Sequence, residues 1–175
     1  MTYITRLHDN SPSEEWDRYF MGIAKTVGDN SKCLSRSIGA ILVKDKAVIA
    51  TGYNGPPRGV PHCWTRNENY ERRCPRQVKG YKSGQGLELC IAGHAERNAI
   101  LQAARAGIST KGATLICHCG VPCKDCAIEI INAGIVEVVY KKAGGTGNFG
   151  EYYDELSKYL FENSDIILRG IKYES

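Results

Sequence analysis

Two short motifs, each placed where a predicted helix begins, restrict this 175-residue chain more than any other feature. His94-Ala95-Glu96 opens a helical run that ends at Gly107, and Pro122-Cys123-Lys124-Asp125-Cys126 opens another that ends at Gly134. Cysteines three positions apart share one face of a helix. The free N–H groups and partial positive charge of a helix start favour thiolates. A Cys-x-x-Cys motif alone fits either a redox pair or a metal site, so the histidine motif decides between them.

His94, Cys123 and Cys126 give three protein ligands, and a tetrahedral zinc ion then keeps one open position, as catalytic zinc sites do. Zinc lowers the pKa of a bound water from about 15.7 to about 7. Glu96 is better suited to carrying protons beside such a site than to binding the metal. A lone histidine or glutamate at a helix start is more often a cap or a dipole partner. Taken with the cysteine motif, however, the pair predicts a catalytic zinc with Glu96 as the proton shuttle.

The remaining pattern predicts an α/β fold, a three-layer α-β-α sandwich around a mixed central sheet of five strands. A helix from Ser13 precedes two apolar runs, 38–43 and 47–50, which are typical of a hairpin. Further strands are predicted over 113–117, 135–140 and 166–168, and a last helix over 150–161. We expect a single domain over residues 1–175, which is long enough to bury its own core.

Composition excludes several classes of protein. No apolar run approaches the roughly 18 residues of a membrane span, and the N-terminus does not resemble a signal peptide. We therefore expect a cytoplasmic protein with no membrane partner. In a reducing compartment, the eight cysteines favour metal ligands or buried thiols over disulfides. The net charge of +4 suits a small anionic substrate but does not by itself indicate nucleic-acid binding.

The segment at about 53–93 is rich in Gly, Pro, Arg and Cys and has little apolar periodicity. A loop of this length inside a compact domain needs something to hold it in place. Four thiolates around a structural zinc would do so, and the candidates in or near the segment are Cys33, Cys63, Cys74 and Cys90. His62 is a possible substitute ligand. The alternative is a set of unconnected buried or surface thiols.

Several segments together resemble a known family. His-Ala-Glu followed by Pro-Cys-x-x-Cys is shared by the zinc nucleobase deaminases, and residues 16–168 resemble more narrowly the deoxycytidylate deaminases. The matching segments follow the family's order: Ser31-Lys32-Cys33, Ile38-Gly39-Ala40, Gly52-Tyr53-Asn54-Gly55-Pro56-Pro57 and His94-Ala95-Glu96-Arg97-Asn98-Ala99-Ile100. The third of these segments and the cysteine-bearing insertion are the most specific parts of the likeness.

The resemblance implies hydrolysis of dCMP to dUMP and ammonia, a reaction that feeds thymidylate synthesis. It implies that Asn54 contacts the sugar and that the backbone around Ala95 helps to fix the pyrimidine. It also implies a homo-oligomer, with a hexamer favoured, that dCTP activates and dTTP inhibits. In the family that regulator binds, with Mg²⁺, at a loop represented here by Gly52, Tyr53, Asn54 and Gly55.

A nucleoside monophosphate needs cationic or hydrogen-bonding groups around its phosphate. Arg36, between the first helix and the first strand, is the preferred candidate, and Tyr153 near the start of the last helix is a second. One departure from the family lies in residues 115–121, which form a run one residue longer than usual and should border the base pocket. His118 is therefore a candidate to line that pocket or carry a proton, or else a plain loop residue. Cys117 and Cys119 are expected to be packing or loop residues.

Other functions remain open from the sequence alone. Deamination of dCTP, cytidine or another cytosine compound is one, because loops build the phosphate pocket. A zinc-binding module without catalysis would have no need of Glu96, and a redox protein using Cys123 and Cys126 would lose its reactivity on binding zinc. A deaminase of tRNA or single-stranded DNA is disfavoured, since it needs aromatic platforms in a basic groove and only 9% of residues are aromatic.

Overall fold

The computed structural model describes residues 12–63, 74–82, 85–142 and 151–174. Five strands in these residues form one sheet in the order β2-β1-β3-β4-β5. They are β1 (Gly39–Lys44), β2 (Ala47–Tyr53), β3 (Thr114–Cys117), β4 (Glu137–Lys141) and β5 (Ile167–Ile171). Strand β1 is antiparallel to β2 and β3, whereas β3, β4 and β5 are parallel. The predicted mixed sheet of five strands is therefore confirmed.

Helices cover both faces of the sheet, as the predicted three-layer sandwich requires. The helices that do so are α1 (Pro12–Asp29), α3 (Ala95–Arg105), α4 (Lys124–Asn132) and α5 (Glu151–Glu162), and a short helix α2 (Pro75–Val78) lies in the insertion. Helix α1 packs on one face over a core that includes Met21, Ile41 and Val139. Helices α3, α4 and α5 contribute to the core on the other face, which includes Ala99, Ile130 and Phe161. No helix in the described residues is long and apolar enough to cross a membrane.

Strand β1, between β2 and β3, is buried on both faces because its residues alternate between the two cores. Ala40 and Leu42 face α3, whereas Ile41 and Val43 face α1. Glycine then allows each helix to approach the sheet closely. A side chain at Gly39 would collide with the Ala24 carbonyl oxygen of α1, and one at Gly52 would collide with the α3 backbone at Ala95 and Ala99. The start of α3 is therefore seated directly on the end of β2.

The structure corrects three predicted boundaries. Strand β2 continues through Gly52 to Tyr53, because its antiparallel pairing with β1 extends to Gly39. Within the insertion, α2 and a 3₁₀ turn at Leu87–Leu89 interrupt what seemed irregular chain. Elements of three or four residues are too short to show periodicity. Strand β5 reaches Ile171 because its pairing with β4 continues through Gly170.

Candidate metal centre and active site

The starts of α3 and α4 meet on the same face of the sheet and bring three predicted metal ligands together. His94 is the N-cap of α3 and Cys123 the N-cap of α4, both with extended backbone. The Nδ1 atom of His94 lies 3.3 Å from the Cys123 sulfur and 3.4 Å from the Cys126 sulfur. All three ligand atoms lie within 4.8 Å of one another. The cluster therefore joins two motifs that are far apart in the sequence.

The donor set and its spacing fit a zinc ion. Two cysteine sulfurs and one imidazole nitrogen are common zinc ligands. Zinc bonds of about 2.3 Å to sulfur and about 2.0–2.1 Å to nitrogen place tetrahedral ligand atoms roughly 3.5 Å apart. The separations of His94 Nδ1 from the two sulfurs, 3.3 and 3.4 Å, are close to that value. The three side chains can therefore hold the ion with little rearrangement.

The two thiols have opposite proton affinities in the metal-free chain. A hydrogen bond from Cys126, supported by one from His94, lowers the pKa of the Cys123 thiol to about 4. The same contact with Cys123, together with burial, raises the pKa of the Cys126 thiol. The hydrogen bond to Cys123 also raises the pKa of His94. The contacts therefore favour the thiolate form of Cys123, and binding a divalent cation would require Cys126 to lose its proton as well.

Glu96 lies in the first turn of α3 with only 4% of its surface exposed. Burial is the main cause that raises the pKa of its carboxyl group, and the nearby His94 opposes this rise. The carboxyl group is not among the clustered ligand atoms. A buried carboxyl group with a raised pKa, beside a metal-binding group, is suited to accept and return a proton.

Sequence reasoning missed Cys119 as a residue of this site. Its sulfur donates a hydrogen bond to Oε1 of Glu96 at 3.7 Å. The pKa of the Cys119 thiol is raised, chiefly by its hydrogen bond with Cys117 and by burial, so the sulfur keeps its hydrogen. The signal that could have found it is strand alternation, because Leu115, Cys117 and Cys119 all point to the α3 face.

His118, the candidate from the lengthened loop, lies on the opposite face of the sheet. Its Nε2 atom is 3.3 Å from Lys141 Nζ, and its ring packs edge-on against Tyr173 at 5.7 Å between centroids. Burial, followed by the charges of Lys141 and Lys25, lowers the pKa of His118. On this face an open groove of about 580 Å³ runs between α1 and Tyr173. The structure therefore does not bring His118 to Glu96.

Asn54 and Arg36 lie together at the end of β2. The Asn54 side chain, 8% exposed, accepts a hydrogen bond from the Ile38 N–H (2.9 Å) and donates one to the Arg36 carbonyl oxygen (3.0 Å). Burial lowers the pKa of the Arg36 guanidinium, and the nearby Cys119 sulfur opposes this effect. Arg36 is thus on the same side of the molecule as Cys119 and Glu96, with Asn54 holding its backbone in place.

The predicted regulatory loop is tied to the start of α3. The carbonyl oxygen of Tyr53 accepts a hydrogen bond from the Asn98 side chain at 2.8 Å. The N–H and C=O of Gly55 both pair with Gly93, at 3.1 and 2.8 Å. Gly52 is buried against Ala95, which is itself fully buried. Tyr153 lies in α5, but its side chain is outside the described residues.

The structure also places Cys74 and Cys90 of the insertion, together with Cys33, near Cys63. Cys63 and Cys74 are buried, whereas Cys33 and Cys90 are half-buried. Burial first, and then the Cys74, Cys33 and Cys90 sulfurs, raise the pKa of the Cys63 thiol to about 11. Next to Cys63, Nδ1 of His62 is buried with no hydrogen-bond partner among the described residues. Among the described residues, however, the ligand atoms that lie within 4.8 Å of one another are those of His94, Cys123 and Cys126.

Several known proteins are similar to this chain. A family model described as the cytidine and deoxycytidylate deaminase zinc-binding region matches residues 14–142. Deoxycytidylate deaminase of Schizosaccharomyces pombe is 40% identical over 135 residues, covering 77% of this chain and 39% of that protein. Deoxycytidylate deaminase of Mycobacterium phage D29 is 40% identical over 133 residues, covering 73% of this chain and 95% of the phage protein.

A solved structure extends the likeness to the fold. The apo dCMP deaminase of cyanophage S-TIM5 superposes with a TM-score of 0.62 at 25% identity, covering 92% of this chain and 99% of that one. The chain spans less than half the length of the two yeast relatives that it matches.

Proposed function

Because this chain belongs to the family of proteins with a cytidine and deoxycytidylate deaminase zinc-binding region, we propose that it hydrolyses dCMP to dUMP and ammonia. The observation that carries the proposal is the buried carboxyl group of Glu96 beside the cluster of His94, Cys123 and Cys126. The names of the fission yeast and phage relatives support dCMP as the substrate. The dUMP formed would supply thymidylate synthesis.

Each residue of the cluster has a distinct part in the proposed reaction. His94 Nδ1 and the sulfurs of Cys123 and Cys126 hold Zn²⁺, which when bound supplies Lewis-acid activation of water. Glu96 takes one proton from the attacking water and delivers it to the ring nitrogen; it then takes the second proton from the oxygen added to the ring and delivers it to the amino group, which leaves as ammonia. Burial keeps its carboxyl pKa raised, which suits a group that both accepts and donates in one cycle.

Four other residues are proposed to bind the nucleotide. Arg36 is suited to the phosphate because its guanidinium lies on the Cys119 side of the site, and Tyr153 is the second candidate for that role. Asn54 has one amide hydrogen and one oxygen lone pair left after its two backbone bonds. These remaining groups are proposed to meet a sugar hydroxyl, while the backbone at Ala95 fixes the base.

The test is incubation of the zinc-loaded protein with dCMP, dCTP, CMP, cytidine and deoxycytidine separately, with product identified by mass. Glu96→Gln and a zinc-stripped sample serve as controls, and the zinc content of each sample is measured. Conversion of dCMP that is lost in both controls supports the proposal. Conversion of dCTP alone would leave the cluster's role intact and reject dCMP as substrate, whereas no conversion with zinc bound rejects deamination of cytosine nucleotides.

We also propose a second, structural zinc held by Cys33, Cys63, Cys74 and Cys90. The effect of the Cys74, Cys33 and Cys90 sulfurs on the pKa of Cys63 supports it, because it shows that they lie near Cys63. Nδ1 of His62, which has no hydrogen-bond partner among the described residues, is an alternative ligand next to Cys63. Metal analysis should give two zinc ions per chain in the wild-type protein and one in Cys74→Ser. A single zinc in both proteins would reject the second site.

Finally, we propose a cytoplasmic homo-oligomer, with a hexamer favoured, built from a single domain over residues 1–175 with its cysteine-rich insertion at about 53–93. The resemblance to deoxycytidylate deaminases supports activation by dCTP and inhibition by dTTP, with Mg²⁺, at the loop of Gly52, Tyr53, Asn54 and Gly55. Light scattering gives the oligomer size. Rates measured at low dCMP with each triphosphate test the regulation, and unchanged rates with both would reject it.

A further inference from the structure

In the described part of the chain, the side chain that forms a hydrogen bond with the carboxyl group of Glu96 is that of Cys119. The Cys119 sulfur lies 3.7 Å from Oε1 of Glu96. Glu96 comes from the first turn of α3, whereas Cys119 follows β3, so the contact joins a helix start to the end of a central strand. A proton-carrying group is thus contacted by a thiol that is not a metal ligand in the proposed site.

Backbone pairing fixes the position of this thiol. The Cys119 carbonyl oxygen accepts a hydrogen bond from the Lys141 N–H at 2.9 Å, and the N–H of His118 donates to the Gly39 carbonyl oxygen at 2.9 Å. The chain therefore continues the sheet's pairing beyond the last residue of β3. Since both neighbouring strands hold this segment, the sulfur is placed as firmly as a strand residue.

We propose that Cys119 is a positioning residue, whose S–H group holds one oxygen of the Glu96 carboxyl and so directs the other oxygen to the reacting nucleotide. The proposal rests on the proposed deamination. A carboxyl group can rotate about its last single bond, and a donor on Oε1 restricts that rotation. Because a thiol is a weak donor, it orients the carboxyl group while leaving most of its capacity to accept a proton.

The kinetic test compares Cys119→Ala, Cys119→Ser and the matched control Cys117→Ala in zinc-loaded protein. Cys117 is buried on the same face and Cys119 is half-buried there, but the Cys117 sulfur donates to the backbone oxygen of Val139 rather than to Glu96. Loss of the donor in Cys119→Ala should lower kcat about tenfold, with KM changed less than about twofold. Cys119→Ser, which keeps a donor, should recover most of kcat, and Cys117→Ala should keep wild-type kcat.

An infrared measurement tests the contact without any substrate. The S–H stretching band of Cys119 is isolated as the difference between wild-type protein and Cys119→Ser, and again between Glu96→Ala and the Glu96→Ala/Cys119→Ser double variant. If the S–H group donates to Glu96, the band shifts to higher frequency when the carboxyl group is removed. An unshifted band means that Cys119 donates elsewhere, for example to Cys117, and overturns the proposal.

The two measurements separate this proposal from the proposed function. If the wild-type protein converts none of the five cytosine compounds but the band shifts, the assigned reaction fails while the contact stands. If dCMP is converted but Cys119→Ala keeps wild-type kcat, or Cys119→Ser is as slow as Cys119→Ala, Cys119 has no positioning role. Zinc content and melting temperature are measured for every variant, so that a general loss of structure is recognised.

Discussion

Two groups of cysteines in this chain have the same side-chain chemistry but different scaffolds. Cys123 and Cys126 lie at the start of α4, which packs on the central sheet beside the start of α3. Cys63 and Cys74 belong to the long insertion, where α2 spans only four residues. A ligand group fixed by a sheet and two helices can leave one metal position open for chemistry. A ligand group in irregular chain is better suited to a structural metal, which would hold the surrounding segment in one conformation, than to a catalytic metal.

One thiol from each group shows an opposite pKa shift. The pKa of Cys123 is lowered to about 4 by donors from Cys126 and His94, whereas the pKa of Cys63 is raised to about 11 by burial and neighbouring thiols. In the first group, the low pKa of the Cys123 thiol favours binding of a cation. In the second, the raised pKa of the Cys63 thiol opposes it, so a metal bound there should be coupled to local order.

The largest expected effect comes from removing a ligand of the first group. Cys126→Ser should lose one zinc ion per chain and deaminate at the background rate, because the cluster keeps only two of its three ligands. Its far-ultraviolet circular dichroism should match that of the wild type, since the sheet and helices hold the site. Loss of secondary structure in this variant would show that the first group also stabilises the fold, and would contradict the separate roles proposed for the two groups.

Removing a ligand of the insertion group should instead affect stability. Cys74→Ser is expected to lower the free energy of unfolding by more than about 2 kcal/mol, as the loss of a structural metal does. Urea unfolding measures this change, and limited proteolysis should show earlier cleavage within the insertion. The folded fraction should keep its activity at low temperature, so unchanged stability with lost activity would reverse the roles of the two groups.

The scaffold of the first group can be tested at Gly52, where an added side chain meets the backbone of α3. Gly52→Ala should destabilise the protein by about 1–3 kcal/mol and lower kcat, because the helix that carries Glu96 must shift. Gly120→Ala is the matched control, since a side chain there has no neighbouring atom within 4 Å. Equal unfolding midpoints for the two variants would contradict the close approach of β2 and α3.

The smallest effect is expected for His118, the neighbour of Cys119 on the other face of the sheet. His118→Ala should change kcat/KM for dCMP by less than about twofold, because its contacts are with Lys141 and Tyr173. Steady-state assays beside Cys119→Ala give the contrast directly. A larger loss of kcat/KM in His118→Ala than in Cys119→Ala would contradict this assignment, because it would show that the face of the sheet opposite Glu96 matters more for activity.

Periodicity and motif spacing were enough to predict the sheet, the main helices and the three clustered ligands. The role of residues 117–119 was not predicted, because treating them as a loop ignored the alternation that continues beyond β3. That alternation directs Cys119 to Glu96 and His118 away from it. The proximity of Cys33, Cys63, Cys74 and Cys90 could be inferred from the sequence only because four cysteines lie in or near one irregular segment. No periodic pattern relates their positions. Short elements such as α2 carry too few residues to be recognised.

The order of the strands also bears on how the proposed centre is assembled during synthesis. His94 and Glu96 leave the ribosome before Cys123 and Cys126, and β3, which separates the two helix starts in sequence, occupies the middle of the sheet between β1 and β4. Because the two pairs lie on opposite sides of β3 in the sequence, the cluster can form only once both helix starts have been made and packed on the sheet. We therefore expect the zinc content of a purified sample to report the fraction of chains in which α3 and α4 have docked.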